Sequence, residues 1–207
     1  MVALFKEHEG SVTPPPTKNN EWYTPSKYIE AARAVMGGID LDPASCEMAN
    51  RTVKATRYYS LEDDGLSKEW HGNVWLNPPY GKDHSVCNEK RSTIRIWVDK
   101  LLLDFASGNI SQAIILVTSQ TTAPWFHLLL DYPICLSDHN VRFRISEPTS
   151  YRPGRMTQSH IFGCTFAYLG SNDHKFIDTF SEFGRIVKAI DVPKSKVTPL
   201  SLWEDKH

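Results

Sequence analysis

The chain has 207 residues, enough for one large domain, and its 41% hydrophobic and 23% charged residues place it among ordinary globular proteins. A formal net charge of −1 excludes a global basic field, so any nucleic-acid partner must be met by local clusters of Lys and Arg. No apolar run is long enough to span a bilayer, no secretory signal pattern opens the chain, and the four cysteines form no CxxC pair, so free thiols in a reducing cytoplasm and no metal site are expected.

Residues 1–20 end in SVTPPPTKNN and read as a flexible N-terminal arm, because three prolines followed by polar residues favour an extended chain. Order is expected from Glu21-Trp22-Tyr23-Thr24-Pro25. A helix is predicted over Ser26 to Met36, with Tyr28, Ile29, Ala32, Val35 and Met36 on its apolar face and Gly37-Gly38 as its stop. Ile39 to Pro43 is a very short strand, Ala55 to Tyr59 a second, and Leu61 to Trp70 an acidic stretch ending in a helical turn. Gly72 to Leu76 is a strand running into Asn77-Pro78-Pro79-Tyr80. Residues 81–95 hold no period and read as an exposed loop. Ile96 to Phe105 is a helix. Ala113 to Thr118 is a buried strand whose continuous apolar run suits a central parallel position. Pro124 to Leu130 begins a helix, and Ile134 to Leu136 and Val141 to Ile145 are strand-like. Residues 146–160 form a Pro/Gly/Arg-rich loop, Ile161 to Leu169 a strand, Phe176 to Phe183 a helix stopped by Gly184, and Arg185 to Ile190 a last short element. Residues 193–207 read as an irregular tail. Strands alternating with helices predict a single α/β domain over residues 21–192 with a mainly parallel sheet.

The run VWLNPPYG concentrates the chemistry. Val74, Trp75 and Leu76 favour a strand, and the two prolines then remove two backbone donors, so no ladder continues through them. A stiff shelf results at a strand's C-terminal edge, where open α/β sheets bind ligands. It carries an amide at one end and an aromatic ring at the other, groups that suit a planar, nitrogen-rich ring.

EWYTP, DLDPAS and EDDGL followed by NPPYG stand in an order that resembles the S-adenosylmethionine-dependent amino-methyltransferases with a [DNS]PP[YF] signature. More narrowly, the chain is similar to the phage-type DNA N6-adenine methyltransferase family over roughly residues 21–183, including Trp125-Phe126 and the RFR strand at Arg142 to Arg144. The resemblance implies a Rossmann-like methyltransferase fold with helices on both faces of the sheet. It implies that Asn77 and the carbonyl of Pro78 accept the two N6 protons of adenine and that Tyr80 stacks on the base. It implies that S-adenosylmethionine lies against Trp22, Tyr23, Thr24 and Pro25, with Thr24 donating to the cofactor's carboxylate. Asp42, followed by Pro43, is the first choice for pairing with the cofactor's ammonium and Asp40 the second. Asp64 is the better candidate for the cofactor's adenine amine and Asp63 the alternative; Asn77 borders the cofactor too. Ser45-Cys46-Glu47 stands where the family's glycine-rich continuation is expected.

The DNA partner, double-stranded with its target base flipped, needs phosphate contacts. Lys82, Lys90, Arg91 and Arg95 follow NPPY, and Arg142, Arg144, Arg152 and Arg155 form a second cluster, so the loops at 82–95 and 146–160 are the expected DNA-contacting insertions. NPPY is shared with enzymes acting on cytosine N4, RNA adenine or protein glutamine, and a catalytically inactive nucleic-acid-binding relative is the alternative of a different class. The segments taken together favour adenine in DNA.

Overall fold

The computed structural model describes residues 22–79, 93–145, 157–159 and 163–190. The N-terminal arm, the tail, Tyr80, Lys82, Lys90, Arg91, Arg152 and Arg155 lie outside the described residues.

A two-residue strand, β1 (Trp22–Tyr23), leads into α1 (Ser26–Met36), which buries the predicted Tyr28, Ile29, Ala32, Val35 and Met36. Gly37 ends the helix in the left-handed region at φ 82°, where its N–H bonds the carbonyl of Arg33 at 2.8 Å. Then come β2 (Leu41–Asp42), α2 (Glu47–Val53), β3 (Arg57–Tyr58), a 3-10 turn (Gly65–Ser67) and β4 (Gly72–Leu76). After these stand α3 (Thr93–Ala106), β5 (Ile110–Thr118), α4 (Pro124–His127) with a 3-10 continuation to Asp131, β6 (Ile134–Ser137), β7 (Arg142–Ile145) and β8 (Thr157–Ser159). The last elements are β9 (Cys164–Leu169), α5 (Asp173–Phe180) and β10 (Gly184–Val187).

Seven strands form one sheet in the order β10-β6-β9-β5-β4-β2-β3. Its interior strand β5 carries an unbroken apolar run from Ala113 to Val117 because both of its faces are covered there. Ile114 and Leu116 meet a cluster built from α1 and α5, including Tyr28, Ile29, Phe176 and Phe180. Ile115 and Val117 point the other way, into a cluster with Trp97, Val98 and Leu101 of α3 and Trp125 and Phe126 of α4. Helices therefore cover both faces of the sheet.

The expectation of a mainly parallel sheet is corrected. The pairs β3–β2, β2–β4 and β4–β5 are parallel, whereas β5–β9, β9–β6 and β6–β10 are antiparallel. The chain returns from β8 into the gap between β5 and β6, and one inserted strand of opposite direction makes two antiparallel pairs. Other corrections are local. The segment 81–95 does not remain a loop to its end, since α3 already begins at Thr93, and 146–160 contains β8, which pairs with β7. α5 starts and stops about three residues earlier than its apolar pattern suggests, and Gly184 opens β10. No described helix is long and apolar enough to cross a membrane.

A second, three-stranded sheet joins β1, β7 and β8, all antiparallel. Its register sets Trp22 opposite Ile145 and Tyr23 opposite Arg144. Val141 and Phe143 are fully buried against the α1–α5 side of the large sheet and fasten the small sheet to it.

Candidate functional site

The connection from β2 to β3 runs toward one edge of the sheet, and the connection from β4 to β5 runs toward the other. The reversal falls between β2 and β4, and the crevice outside their C-terminal ends is where an open α/β sheet receives a ligand. Asp42 ends β2, and Asn77 follows the last residue of β4. Leu41 is paired with Val74, so Asp42 lies beside Trp75 and Asn77 stands two residues beyond. Ordinary strand spacing and rise then separate the Cα atoms of Asp42 and Asn77 by about 8 Å.

Asp42 is only 3% exposed, and burial pushes its carboxyl up to about 7. The N–H of Ala44, at 3.4 Å from Oδ1, and the neighbouring Ser45 pull the value back down. Ser45 Oγ is itself buried and completes no hydrogen bond of ordinary geometry. No Lys or Arg among the described residues forms an ion pair with Asp42. The turn after it is held by Tyr59, whose N–H bonds the Asp42 carbonyl at 3.0 Å and whose own carbonyl accepts from Ser45 at 2.9 Å. Cys46 then caps α2 by accepting the N–H of Ala49, so a helix follows the turn although the glycines are missing.

Gly65 closes the other wall. A methyl at its Cβ position would fall 2.0 Å from the carbonyl oxygen of Pro43, so only glycine lets the 63–65 turn press onto the Asp42-Pro43 turn. Trp70 donates its indole N–H to the Gly65 carbonyl at 2.8 Å, and Trp70 stacks on Trp97 of α3. The turn places Asp64, exposed and left-handed at φ 53°, beside the crevice. Asp63 is engaged locally: its carboxylate accepts the N–H and the hydroxyl of Ser60, both at 2.8 Å, which hold its pKa below the usual range. Of the two, Asp64 is the one without such a local hold.

After β4, Asn77 is half-buried, Pro78 buried and Pro79 exposed. The amide nitrogen of Asn77 donates to Oγ1 of Thr24 at 3.4 Å. Thr24 is 7% exposed and sits between β1 and the first turn of α1, which begins with the N–H of Tyr28 on the carbonyl of Pro25. Tyr23 is half-buried, and its hydroxyl accepts from the Cys46 thiol at 3.7 Å. The segment Trp22 to Pro25 thus spans both halves of the crevice, touching the turn after β2 through Tyr23 and the loop after β4 through Thr24.

Other predicted residues fall elsewhere. Asp40 is not in the crevice. It precedes β2, and its Oδ2 accepts the N–H of Asn73 at 2.8 Å at the opposite end of β4, which corrects its place as second choice. Arg95 pairs with Asp99 one turn along α3. Arg142 is exposed on β7, and Arg144 occupies the register position opposite Tyr23. That register ties the RFR segment to the crevice through Trp22-Tyr23; the sequence sets these arginines near the catalytic edge but gives no sign of the β1–β7 pairing. Burial pushes the Cys135 and Cys164 thiols up to about 12 and 11, so neither is a nucleophile at neutral pH.

A mixed α/β sheet covered on both faces, with an acid and an amide at the C-terminal ends of adjacent parallel strands, is consistent with a methyltransferase-like α/β fold. The family model described as DNA N-6-adenine-methyltransferase (Dam) matches residues 10–140, and the chain belongs to this family. It is an enzyme that methylates the N6 amino group of adenine in DNA. No curated protein matches the chain.

Proposed function

We propose that the chain takes its methyl group from S-adenosylmethionine in a Rossmann-like methyltransferase domain spanning residues 21–192, and that the crevice between β2 and β4 is divided into a donor half and an acceptor half. The observation that carries this reading is the adjacency of Asp42 and Asn77 across neighbouring parallel strands at the topological reversal.

The residues present fit the donor. Its methionine end carries an ammonium, and Asp42 is a buried carboxyl with a raised pKa, no cationic partner among the described residues and a buried Ser45 hydroxyl beside it. An ammonium there would supply the missing charge and restore ionisation. Pro43 and the Gly65 turn wall this half, Asp64 stands at the rim for the donor's adenine amine, and Trp22, Tyr23 and Pro25 cover it. When bound, S-adenosylmethionine supplies an electrophilic methyl carbon on a sulfonium.

The chain's own task is to orient the nucleophile and exclude water. The lone pair of adenine N6 is delocalised into the ring. Oδ1 of Asn77 and the carbonyl of Pro78 accept the two N6 protons and favour the geometry in which the lone pair faces the methyl carbon. Pro79 has no N–H, so the ladder cannot reclaim these groups. Tyr80 stacks on the base. Taking adenine out of a duplex costs a few kcal/mol, roughly, and stacking on one ring returns about 1–3 kcal/mol. Arg142 and Arg144, on the sheet that holds β1, serve the phosphates, together with Lys82, Lys90, Arg91, Arg95, Arg152 and Arg155. The reaction belongs in the cytoplasm, that of a host cell if the chain is phage-encoded.

Calorimetry on Asp42→Ala separates the two halves. The reading expects a loss of S-adenosylmethionine affinity of tenfold or more, with affinity for duplex DNA within twofold of wild type. A selective loss of DNA affinity would show that the halves are reversed.

A further inference from the structure

We infer that Thr24 is a positioning residue of the methyl-acceptor half, one that fixes which end of the Asn77 amide faces the substrate. The inference rests on the reading that Asn77 accepts an N6 proton. The family resemblance implies that Thr24 donates to the donor's carboxylate, whereas the geometry points to Asn77.

An asparagine amide has a broad, roughly two-fold terminal torsion, and its two ends are nearly equal in size. In one orientation Oδ1 meets the substrate amine; in the other an NH2 meets an NH2, and the acceptor is lost. Something outside the side chain must select between them. Oγ1 of Thr24 lies 3.4 Å from Nδ2 of Asn77 and accepts from it, which turns Oδ1 away from Thr24. A hydroxyl can accept in this way while its own proton is donated elsewhere.

Thr24 is well held for the task. It is 7% exposed, and its β-branched side chain has restricted χ1 freedom. Upstream, Tyr23 is fixed opposite Arg144 by the β1–β7 pairing; downstream, Pro25 opens α1. The strand that precedes Thr24 and the helix that follows it thus clamp the backbone from both sides. Asn77, by contrast, sits in a loop whose two following residues donate no backbone hydrogen bond. Held in this way, Thr24 presents a fixed acceptor to the Asn77 amide.

The test compares Thr24→Val, which keeps the shape and removes the hydroxyl, with Thr24→Ser, which keeps the hydroxyl. Single-turnover methylation of duplex DNA is read alongside calorimetric affinities for S-adenosylmethionine and for DNA, with wild type and Asn77→Ala as controls. Loss of one hydrogen bond of ordinary strength predicts a methyl-transfer rate about fivefold lower in Thr24→Val, both affinities within twofold of wild type, and most of the rate restored in Thr24→Ser. Three results would overturn the inference: equal slowing in both variants, which marks a packing role; a fall in S-adenosylmethionine affinity in Thr24→Val, which returns Thr24 to the donor; or an unchanged rate in Thr24→Val. An active Asn77→Ala control would instead overturn the role of Asn77 itself, so the two failures are distinguishable.

Discussion

A carboxyl as buried as that of Asp42 is costly to ionise, and the folded chain holds it at about 7 against an ordinary 3.8. Between those values the folded state keeps a proton that the unfolded chain has lost, so protonation favours folding. The contribution is complete below about pH 4 and is lost as the pH rises through 7. The whole swing is about 4 kcal/mol. Asp42→Asn carries no such charge. In thermal melts the protein without donor should therefore be less stable than Asp42→Asn at pH 8 by roughly 10 °C, with the gap closing by pH 4. Saturating S-adenosylmethionine should narrow the gap at pH 8 in wild type alone. A gap that does not change with pH would mean that Asp42 already has a countercharge. The sequence offers Asp42 because a very short strand ends in this acid and a proline follows it. The tie between Thr24 and Asn77 is not legible there, because no local pattern records that a hydroxyl meets an amide 53 residues away.

Elements with strong local grammar were read well. The β4 strand is bounded by Gly72 and by the prolines after Asn77, and α1 by Pro25 and Gly37, so steric punctuation set both. Direction in a sheet has no such grammar. The apolar run of β9 buries both faces, and a strand buried on both faces looks the same whether it runs parallel or antiparallel to its neighbours. The pairing of β1 with β7 joins residues about 120 positions apart through a two-residue strand, too little pattern to detect. The turn at Gly65 gives an element-scale test. Gly65→Ala sets a methyl against the Pro43 carbonyl and must separate the Gly65 turn from the Asp42-Pro43 turn, the two that we propose wall the donor. It should destabilise the fold by about 1–3 kcal/mol and weaken S-adenosylmethionine binding as well. Gly38→Ala, with nothing within 4 Å of its new methyl, is the matched control and should be near neutral. Chemical denaturation with and without donor reads both effects, and a donor affinity unchanged in Gly65→Ala would remove the turn from the donor wall.

At the scale of the whole molecule, the sheet brings three distant stretches to one edge. β2 supplies the acid, β4 the amide, and the segment before α1 bridges them while pairing with β7 and its arginines. A net charge of −1 is compatible with a DNA substrate because two segments of the chain, 82–95 and 142–155, each carry a local cluster of Lys and Arg. The family match ends at residue 140, just before β7, so β7 and β8 of the small sheet rest on the structure rather than on that match. The central claim is that this edge methylates adenine N6 and that Asn77 holds the amine. Its most direct test is transfer of tritium from S-adenosylmethionine to duplex DNA of mixed sequence, followed by nucleoside analysis, for wild type and Asn77→Ala side by side. The account predicts label in N6-methyldeoxyadenosine alone with wild type, and at least a hundredfold less with Asn77→Ala, roughly the loss expected when a transition-state hydrogen-bonding group is removed. Label in N4-methyldeoxycytidine, or equal labelling by the two proteins, would contradict it.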